Sequence, residues 1–476
     1  MIWLDLLSPR RWSQIDPRWL PFADLATPDL PWSRLLRLAL FQVSVGMATA
    51  LLVGTLNRVL IVELGVAAWI VATMVALPLV FAPFRALVGF RSDTHRSVLG
   101  WRRVPYIWAG TMLQFGGLAI MPFALILLSG DTHWPSWIGP VSAALAFLLV
   151  GAGIQTVQTA GLALATDLAP ESARPRVVAM MYALLLAGMF ASGLVFSALL
   201  ADFGKVRLIQ VVQGAAFVAL LLNLIALWKQ EPRNPALTRR QEDRPGFRET
   251  WRAFSARPGH RRFLAALFMG TAAFTMQDII LEPYGGEVLG LSVSATSLLT
   301  AFMAAGALIA FLLSARWLQR GLNPHRLSAI GALVGVVAFS LVIFAEPMQA
   351  PKMFRIGTFL IGLGGGLFSM GTLTAAMGLE TEGLTGLALG AWGAVQASAA
   401  GLAVAAGGLL RDGVSSLALA GSLGPVLDFA GVGYAVVYHL ELALLFLTLV
   451  ALGPLVRLSR MSPPSGGKFG LAEFPG

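Results

Sequence analysis

The chain has 476 residues, of which 57% are hydrophobic and 12% are charged, and its mean hydropathy is +0.75. This composition excludes an ordinary soluble domain and predicts an integral membrane protein. The formal net charge of +10 does not indicate a nucleic-acid partner, because the basic residues are spread over the roots of many loops instead of one face.

Residues 1–35 precede the first long apolar stretch. They carry Trp3, Trp12 and Trp19 beside several arginines, without the basic start and continuous apolar core of a signal peptide. Aromatic and cationic side chains together are typical of segments at the membrane surface. We therefore predict an interfacial or docking arm on the cytoplasmic side, with simple disorder as the alternative.

Twelve apolar stretches follow, and each is long enough to cross a hydrocarbon core of roughly 30 Å. They cover residues 38–57, 66–84, 104–130, 134–166, 177–201, 208–228, 263–281, 288–315, 327–345, 356–379, 383–410 and 429–456. The predicted fold class is an all-α membrane protein with twelve transmembrane helices. Six fall in an N-terminal half, residues 36–228, and six in a C-terminal half, residues 262–460. A basic linker, 229–261, joins the halves, and a Pro/Gly/Ser-rich tail, 461–476, is predicted to be disordered.

A weak internal repeat supports this division. Gly151 and Gly153 of the fourth span recur 211 residues later as Gly362 and Gly364 of the tenth span. Such a duplication predicts two halves related by an axis along the membrane normal, with a binding site at their interface.

The basic residues predict the orientation of the chain. One side of the membrane receives 27 of the 34 Lys and Arg residues when the termini and the even-numbered loops are placed together. Positive short loops are retained on the cytoplasmic side, so both termini are predicted to be cytoplasmic.

A short basic hinge, GFRSDTHRSVLGWRRVPYI, lies between the second and third spans, from Gly89 to Ile107. We predict a clamp on the cytoplasmic helix ends, in which an aspartate accepts hydrogen bonds from arginines and glycines permit close approach. Its candidate residues are Arg85, Gly89, Arg91, Asp93, Arg96, Gly100, Arg102 and Arg103. The clamp either favours one access state or serves as a static topology anchor. This combination of residues at this place resembles the major facilitator superfamily.

Four stretches resemble a narrower family within it, the bacteriochlorophyll delivery family of phototrophic bacteria. They begin at Leu40, Ala76, Gln277 and Gly386 and include RSDTHRS, GWRRVPYIW and QDIILEPYGGEVL, which generic facilitators do not combine. The resemblance spans residues 34–460. The extended N-terminus resembles the LhaA type, associated with light-harvesting 1, more than the PucC type, associated with light-harvesting 2.

The resemblance implies an assembly factor for light-harvesting antenna complexes that delivers or guides bacteriochlorophyll a. Implied partners are the lipid bilayer, the antenna polypeptides, the reaction-centre core complex, and the machinery of pigment synthesis and membrane insertion. The implied location is the inner, intracytoplasmic membrane of a phototrophic bacterium, and the protein would not be an enzyme. Two alternatives stay open, namely a transporter of a small solute or pigment precursor and a scaffold that never touches pigment.

A pigment carrier needs a donor for the magnesium ion of the pigment. Of the five histidines, only His439 lies inside a predicted span, beside Tyr438 and Glu441. It is the candidate axial ligand, although a histidine in a helix more often makes an ordinary hydrogen bond. No metal is predicted to bind the chain directly.

Polar side chains inside spans are costly in lipid, so they are expected to face a cavity or another helix. Helical spacing places one set on a face of span four and another on a face of span seven. The candidate cavity residues are Gln155, Gln158, Thr159, Thr275, Asp278 and Glu282. We expect one of the two carboxyls to be protonated, because they lie one turn apart. The alternative is that Glu282 reaches the external interface and Asp278 hydrogen-bonds across helices.

Overall fold

The computed structural model describes residues 31–80, 92, 101, 103–129, 134–135, 137–169, 174–231, 259–377, 385–424, 427, 429 and 431–461. Within these ranges every regular element is helical, which confirms the predicted all-α class. The boundaries of the arm, linker and tail stay predictions, because most of these residues lie outside the described ranges.

Twelve helices follow the order of the twelve predicted spans in the described part of the chain. The N-terminal half contains α1 (Trp32–Glu63), α2 (Ala68–Val80), α3 (Val104–Leu128), α4 (Ile138–Leu168), α5 (Arg174–Leu199) and α6 (Lys205–Leu227). The C-terminal half contains α7 (His260–Glu287), α8 (Val293–Gln319), α9 (Pro324–Ala345), α10 (Pro351–Met377), α11 (Thr385–Leu419) and α12 (Val432–Met461). Eleven of them are long and apolar enough to cross a membrane, while α2 is described over only 13 residues.

Glycines of the predicted repeat occupy matching places in the two halves. Gly153 lets α4 lie directly against the backbone of α3, where a side chain would collide with Gln114. Gly364 lets α10 approach α9 in the same way, and a side chain there would collide with the carbonyl of Gly331. Close backbone approach at small residues is a usual way to pack helices in lipid. The two halves therefore use the same contact between their third and fourth helices.

Two helices depart from α-helical geometry over part of their length. The first, α1, becomes π-helical over Ala50–Leu56 and again over Val59–Glu63. The other, α7, passes through a 3-10 segment, Met276–Ile279, before it resumes as an α-helix at Leu281. Such breaks free backbone carbonyls that require new partners in lipid. One polar side chain of α1 supplies them.

Asn57 joins the two broken helices. Its Nδ2 donates hydrogen bonds to the carbonyl oxygens of Asp278 and Ile279, at 3.1 and 2.9 Å. The Asn57 side chain is fully buried. An asparagine of the N-terminal half thus caps the interrupted helix of the C-terminal half.

Further contacts between the halves lie toward the side opposite the start of α1 and the end of α12, which we call the far side. Ser197, near the end of α5, lies 3.2 Å from Ser294 of α8, oxygen to oxygen. The backbone N–H of Trp69, in the first turn of α2, donates to Asp412 of α11 at 2.7 Å. Both pairs lie near helix ends on the far side, so the two halves are joined there.

Candidate functional site

A small cavity lies where the two broken helices meet. Its volume is about 20 Å³, enough for one water-sized occupant. Both halves contribute to its wall, which consists of Thr49, Val53 and Gly54 of α1, Met189 of α5, Gln277, Asp278, Leu281 and Glu282 of α7, and Thr300 and Met303 of α8. We call it the seam cavity.

Glu282 is the most enclosed acidic group of the seam cavity, with only 4% of the residue exposed. Its Oε1 accepts a hydrogen bond of 2.5 Å from the hydroxyl of Thr300, whereas its Oε2 has no hydrogen-bond partner. Gly54 of α1 faces this pair, and a side chain there would collide with both partners. The alternative in which Glu282 reaches the external interface is therefore wrong, because α1 and α8 enclose its carboxyl group.

Asp278 is half-buried in the 3-10 segment. Its Oδ1 accepts a hydrogen bond from the amide of Gln277, the preceding residue on the same helix. Gln277 is 1% exposed, and its Oε1 has no partner. Among the described residues, neither Asp278 nor Glu282 forms a salt bridge. The seam cavity therefore contains two carboxyl groups without a paired cation, together with an unpartnered amide oxygen.

A third embedded carboxyl group lies on α12. Glu441 is fully buried, its carboxyl group lies toward the backbone N–H of Gln277, and neither carboxylate oxygen makes a regular hydrogen bond within the described part of the chain. It lies close enough to Asp278 for their charges to interact. Tyr438, one turn before it, is also fully buried and has an unpartnered hydroxyl group.

Paired charges lie at the far-side ends of the helices instead. Arg58 of α1 pairs with Glu63 and donates to the carbonyl of Leu291 at 3.3 Å. Arg411 of α11 pairs with Glu287 at the end of α7 and with its neighbour Asp412 at 2.7 Å. These ion pairs lie on the same side as the contacts between the halves, whereas no ion pair of Asp278, Glu282 or Glu441 is found among the described residues.

The predicted polar set of span four does not join the seam cavity. Gln155, Gln158 and Thr159 are half-buried on α4, and the Thr159 hydroxyl donates to the Gln155 carbonyl at 2.7 Å. Thr275 of α7 is half-buried, and its hydroxyl bonds the carbonyl of Thr271 at 2.8 Å. The carboxyls of α7 meet α1, α5 and α8, so the structure does not bring the two predicted faces together around this cavity.

His439 lies apart from these groups, on the outer face of α12. It is exposed on a stripe that includes Val436, Leu440 and Leu447, whose exposed fractions are 40, 36 and 53%. Its Nδ1 lies 2.7 Å from the carbonyl oxygen of Ala435. A large apolar exposed stripe on a membrane helix faces lipid, so the imidazole faces lipid too.

Only one of the eight predicted hinge residues lies within the described ranges. Arg103 is 5% exposed, and its guanidinium donates to Asp167 at 3.0 Å and to Ser92 at 2.6 Å. Glu231, where the linker begins, accepts from the backbone N–H groups of Arg103 and Val104. Arg103 therefore ties α3 to α4. Outside the described residues are Arg85, Gly89, Arg91, Asp93, Arg96, Gly100 and Arg102.

Several residues that build the seam were not predicted as site residues. Asn57, Thr300 and Gln277 form hydrogen bonds there, and Glu441 lies behind it. A usable signal was present, since each is a polar residue within an apolar stretch. The sequence does not show which spans contact one another, because the breaks in α1 and α7 determine those contacts.

A family model described as "PUCC protein" matches residues 55–460. A protein of Rhodobacter capsulatus, described as an uncharacterized protein in the puhA-bchM intergenic region, is 53% identical over 99% of this chain and 100% of its own. The protein PucC of Rhodovulum sulfidophilum is 55% identical over 83% of this chain and 89% of its own.

Among solved structures, the nucleoside transporter NupG superposes with a TM-score of 0.64 at 13% identity, covering 88% of this chain and 99% of NupG. At that identity the likeness concerns the fold alone. The fold is that of the major facilitator superfamily, as the hinge motif suggested.

Proposed function

Since this chain belongs to the PUCC protein family, we propose that it is an assembly factor for photosynthetic light-harvesting complexes. It delivers or guides bacteriochlorophyll a to antenna polypeptides in the inner membrane, with both termini cytoplasmic, and is not an enzyme. The family match over residues 55–460 supports the proposal. Service to light-harvesting 1 rather than light-harvesting 2 is the finer proposal, and the extended N-terminal arm supports it.

The observation that carries pigment handling is the environment of His439. Contact between Nδ1 and the Ala435 carbonyl, at 2.7 Å, implies a donated Nδ1–H and leaves the Nε2 lone pair available. Neutral imidazole is a suitable donor for the magnesium ion at the centre of the pigment, and the hydrogen bond fixes the tautomer that metal ligation needs. The imidazole is exposed among apolar side chains, so a hydrophobic pigment can reach it from the lipid.

In this proposal the chain's own residues hold and orient the pigment. The ring of His439 supplies the ligand nitrogen, while Val436 and Leu440 offer apolar surface beside it. The lateral position suits transfer to another membrane helix, because neither partner has to open a closed pocket.

The test is the absorption spectrum of the full-length protein purified in mild detergent from a pigment-producing phototroph. We expect bacteriochlorophyll to co-purify in a fixed ratio to protein. Repeated absence of pigment, from protein that is folded and bound to antenna polypeptides, would contradict delivery and favour the pigment-free scaffold.

A second candidate is a transporter of a small solute or pigment precursor. The fold, and the joining of the two halves on the far side, favour it, because such halves rock about a central site in transporters. Uptake by proteoliposomes that contain the purified protein separates the two functions. Saturable uptake of a solute without bound pigment would favour transport.

A further inference from the structure

The seam cavity is lined by polar groups to which the proposed assembly function assigns no role. Asp278 and Glu282 line it without an ion pair among the described residues, and the Oε1 of Gln277 and the Oε2 of Glu282 are unpartnered. Gln277 and Glu282 are more than nine-tenths buried. Leaving such oxygens without a partner in a membrane interior costs free energy.

The oxygen atoms that line the cavity indicate which kind of ion it can bind. Carboxylates, an amide oxygen and the hydroxyls of Thr49 and Thr300 are hard ligands, which suit hard cations and not soft metals. A cavity of about 20 Å³ admits only a very small species. In the described residues there is no group of three or more His, Cys, Asp or Glu side chains suited to a metal ion, so a site for a multivalent metal is not indicated.

We propose that the seam cavity binds one small hard cation, either a proton or a sodium ion, between Glu282, Asp278 and Gln277. A proton on one carboxyl group, or a sodium ion shared by the oxygens, removes the repulsion between two carboxylates one helical turn apart. The unpartnered oxygens then gain a partner.

The position of the site couples its occupancy to the contact between the halves. Thr49, Val53 and Gly54 of α1 and Met189 of α5 close the cavity on one side, and α7 and α8 close it on the other. Separation of the halves would therefore expose the carboxyls. An occupied site favours the joined state, and an empty, doubly charged site favours separation.

Other ionisable groups face this region from the neighbouring helices. Glu441 of α12 lies close enough for its charge to interact with that of Asp278, and Arg58 of α1 lies close enough to interact with Glu282. Arg411 and Asp412 of α11 are paired with each other on the far side. The cavity-lining residues of α5 and α8, Met189, Thr300 and Met303, are not acidic or basic.

The experiment uses the purified full-length protein in detergent. Its thermal unfolding midpoint is followed over a pH series, with sodium chloride replaced by choline chloride at constant ionic strength. The infrared carbonyl band of protonated carboxylic acids is recorded in parallel. The variants are Glu282→Gln and Asp278→Asn, and Asp202→Asn, at an exposed carboxyl in the loop after α5, is the matched control.

A rise of the midpoint with sodium that is lost in both variants, but kept in Asp202→Asn, identifies a sodium site. A protonated-acid band that is present without any sodium effect, and is lost or diminished in Glu282→Gln or Asp278→Asn, identifies a proton site. Wild-type protein with neither response overturns the proposal, even if the variants fail to fold. The proposal does not rest on the assembly function, because pigment content is not one of its readouts.

Discussion

The two faces of α12 carry different polar groups that lack a bonding partner. On the outer face, His439 has one ring nitrogen bonded to Ala435 and the other available toward lipid. On the inner face, Glu441 is buried without a regular hydrogen bond among described atoms, near the carboxyls of α7. The outer group offers a ring nitrogen toward lipid, as the proposed pigment site requires, whereas the inner groups are acids, as the proposed cation site requires. The two kinds of binding group lie on opposite faces of one helix, so each can be changed by mutation without changing the other.

The largest expected effect is on the outer face. We expect His439→Phe to lower the accumulation of antenna complexes by about 10-fold to 100-fold. Removing a hydrogen-bond partner of a metal-bound histidine lowers metal affinity or activity by about this factor, so removing the ligand itself should lower it at least as much. Near-infrared absorption of the membranes measures this. Leu447→Ala, about two turns further along the same exposed stripe, is the matched control and should leave antenna levels unchanged. Equal losses in both variants would mean that the face matters for packing and not for ligation.

The next effect concerns the contact between the halves. Gly54→Ala places a methyl group against Thr300 and Glu282, and such overpacking costs about 1–3 kcal/mol. We expect the halves to separate more often on the far side. The chain has no cysteine, so Ser294→Cys provides a single labelling site in α8, whose labelling rate should rise when Gly54→Ala is added.

Gly116→Ala is the control for that experiment, since no atom lies within 4 Å of a side chain added there. Its labelling rate should equal that of the Ser294→Cys protein alone. If Gly54→Ala leaves the rate at the same value, the seam is not the contact that holds the halves together.

The smallest effect is expected on the stability of the inner acids themselves. Glu282→Gln keeps an oxygen for the Thr300 hydroxyl and nearly the same side-chain volume, so its stability at neutral pH in sodium-free buffer should stay within about 1 kcal/mol of the wild type. Heating in detergent, followed by the soluble monomeric fraction, measures this change. A loss several times larger would show that the charge has a partner that holds the fold together.

Part of this comparison follows from the sequence. Long uncharged stretches predict the helices, and the repeat of Gly153 as Gly364 anticipates the matching packing of the two halves. The polar residues Asp278 and Glu282 stand out because charge in a span is rare. Sequence patterns also single out His439 as the only histidine within a predicted span, although the structure includes His260 and His325 in the first turns of α7 and α9.

The partners of these residues do not follow from the sequence. Asn57 reaches α7 only because α1 and α7 both leave α-helical geometry, and no local pattern at Ala50–Leu56 or Met276–Ile279 signals those breaks. Spacing on α4 suggested that Gln155 and Gln158 share a cavity with α7, yet tertiary packing brings α1 to the carboxyls instead. Outward and inward faces of α12 are likewise set by packing, since both are largely apolar.

The most direct test compares bacteriochlorophyll content in purified full-length wild-type, His439→Phe and Glu282→Gln proteins. The account predicts that the wild type and Glu282→Gln retain the same pigment-to-protein ratio, and that His439→Phe loses most of its pigment. Pigment retained by His439→Phe, or lost equally from both variants, would contradict the assignment of pigment to the outer face of α12.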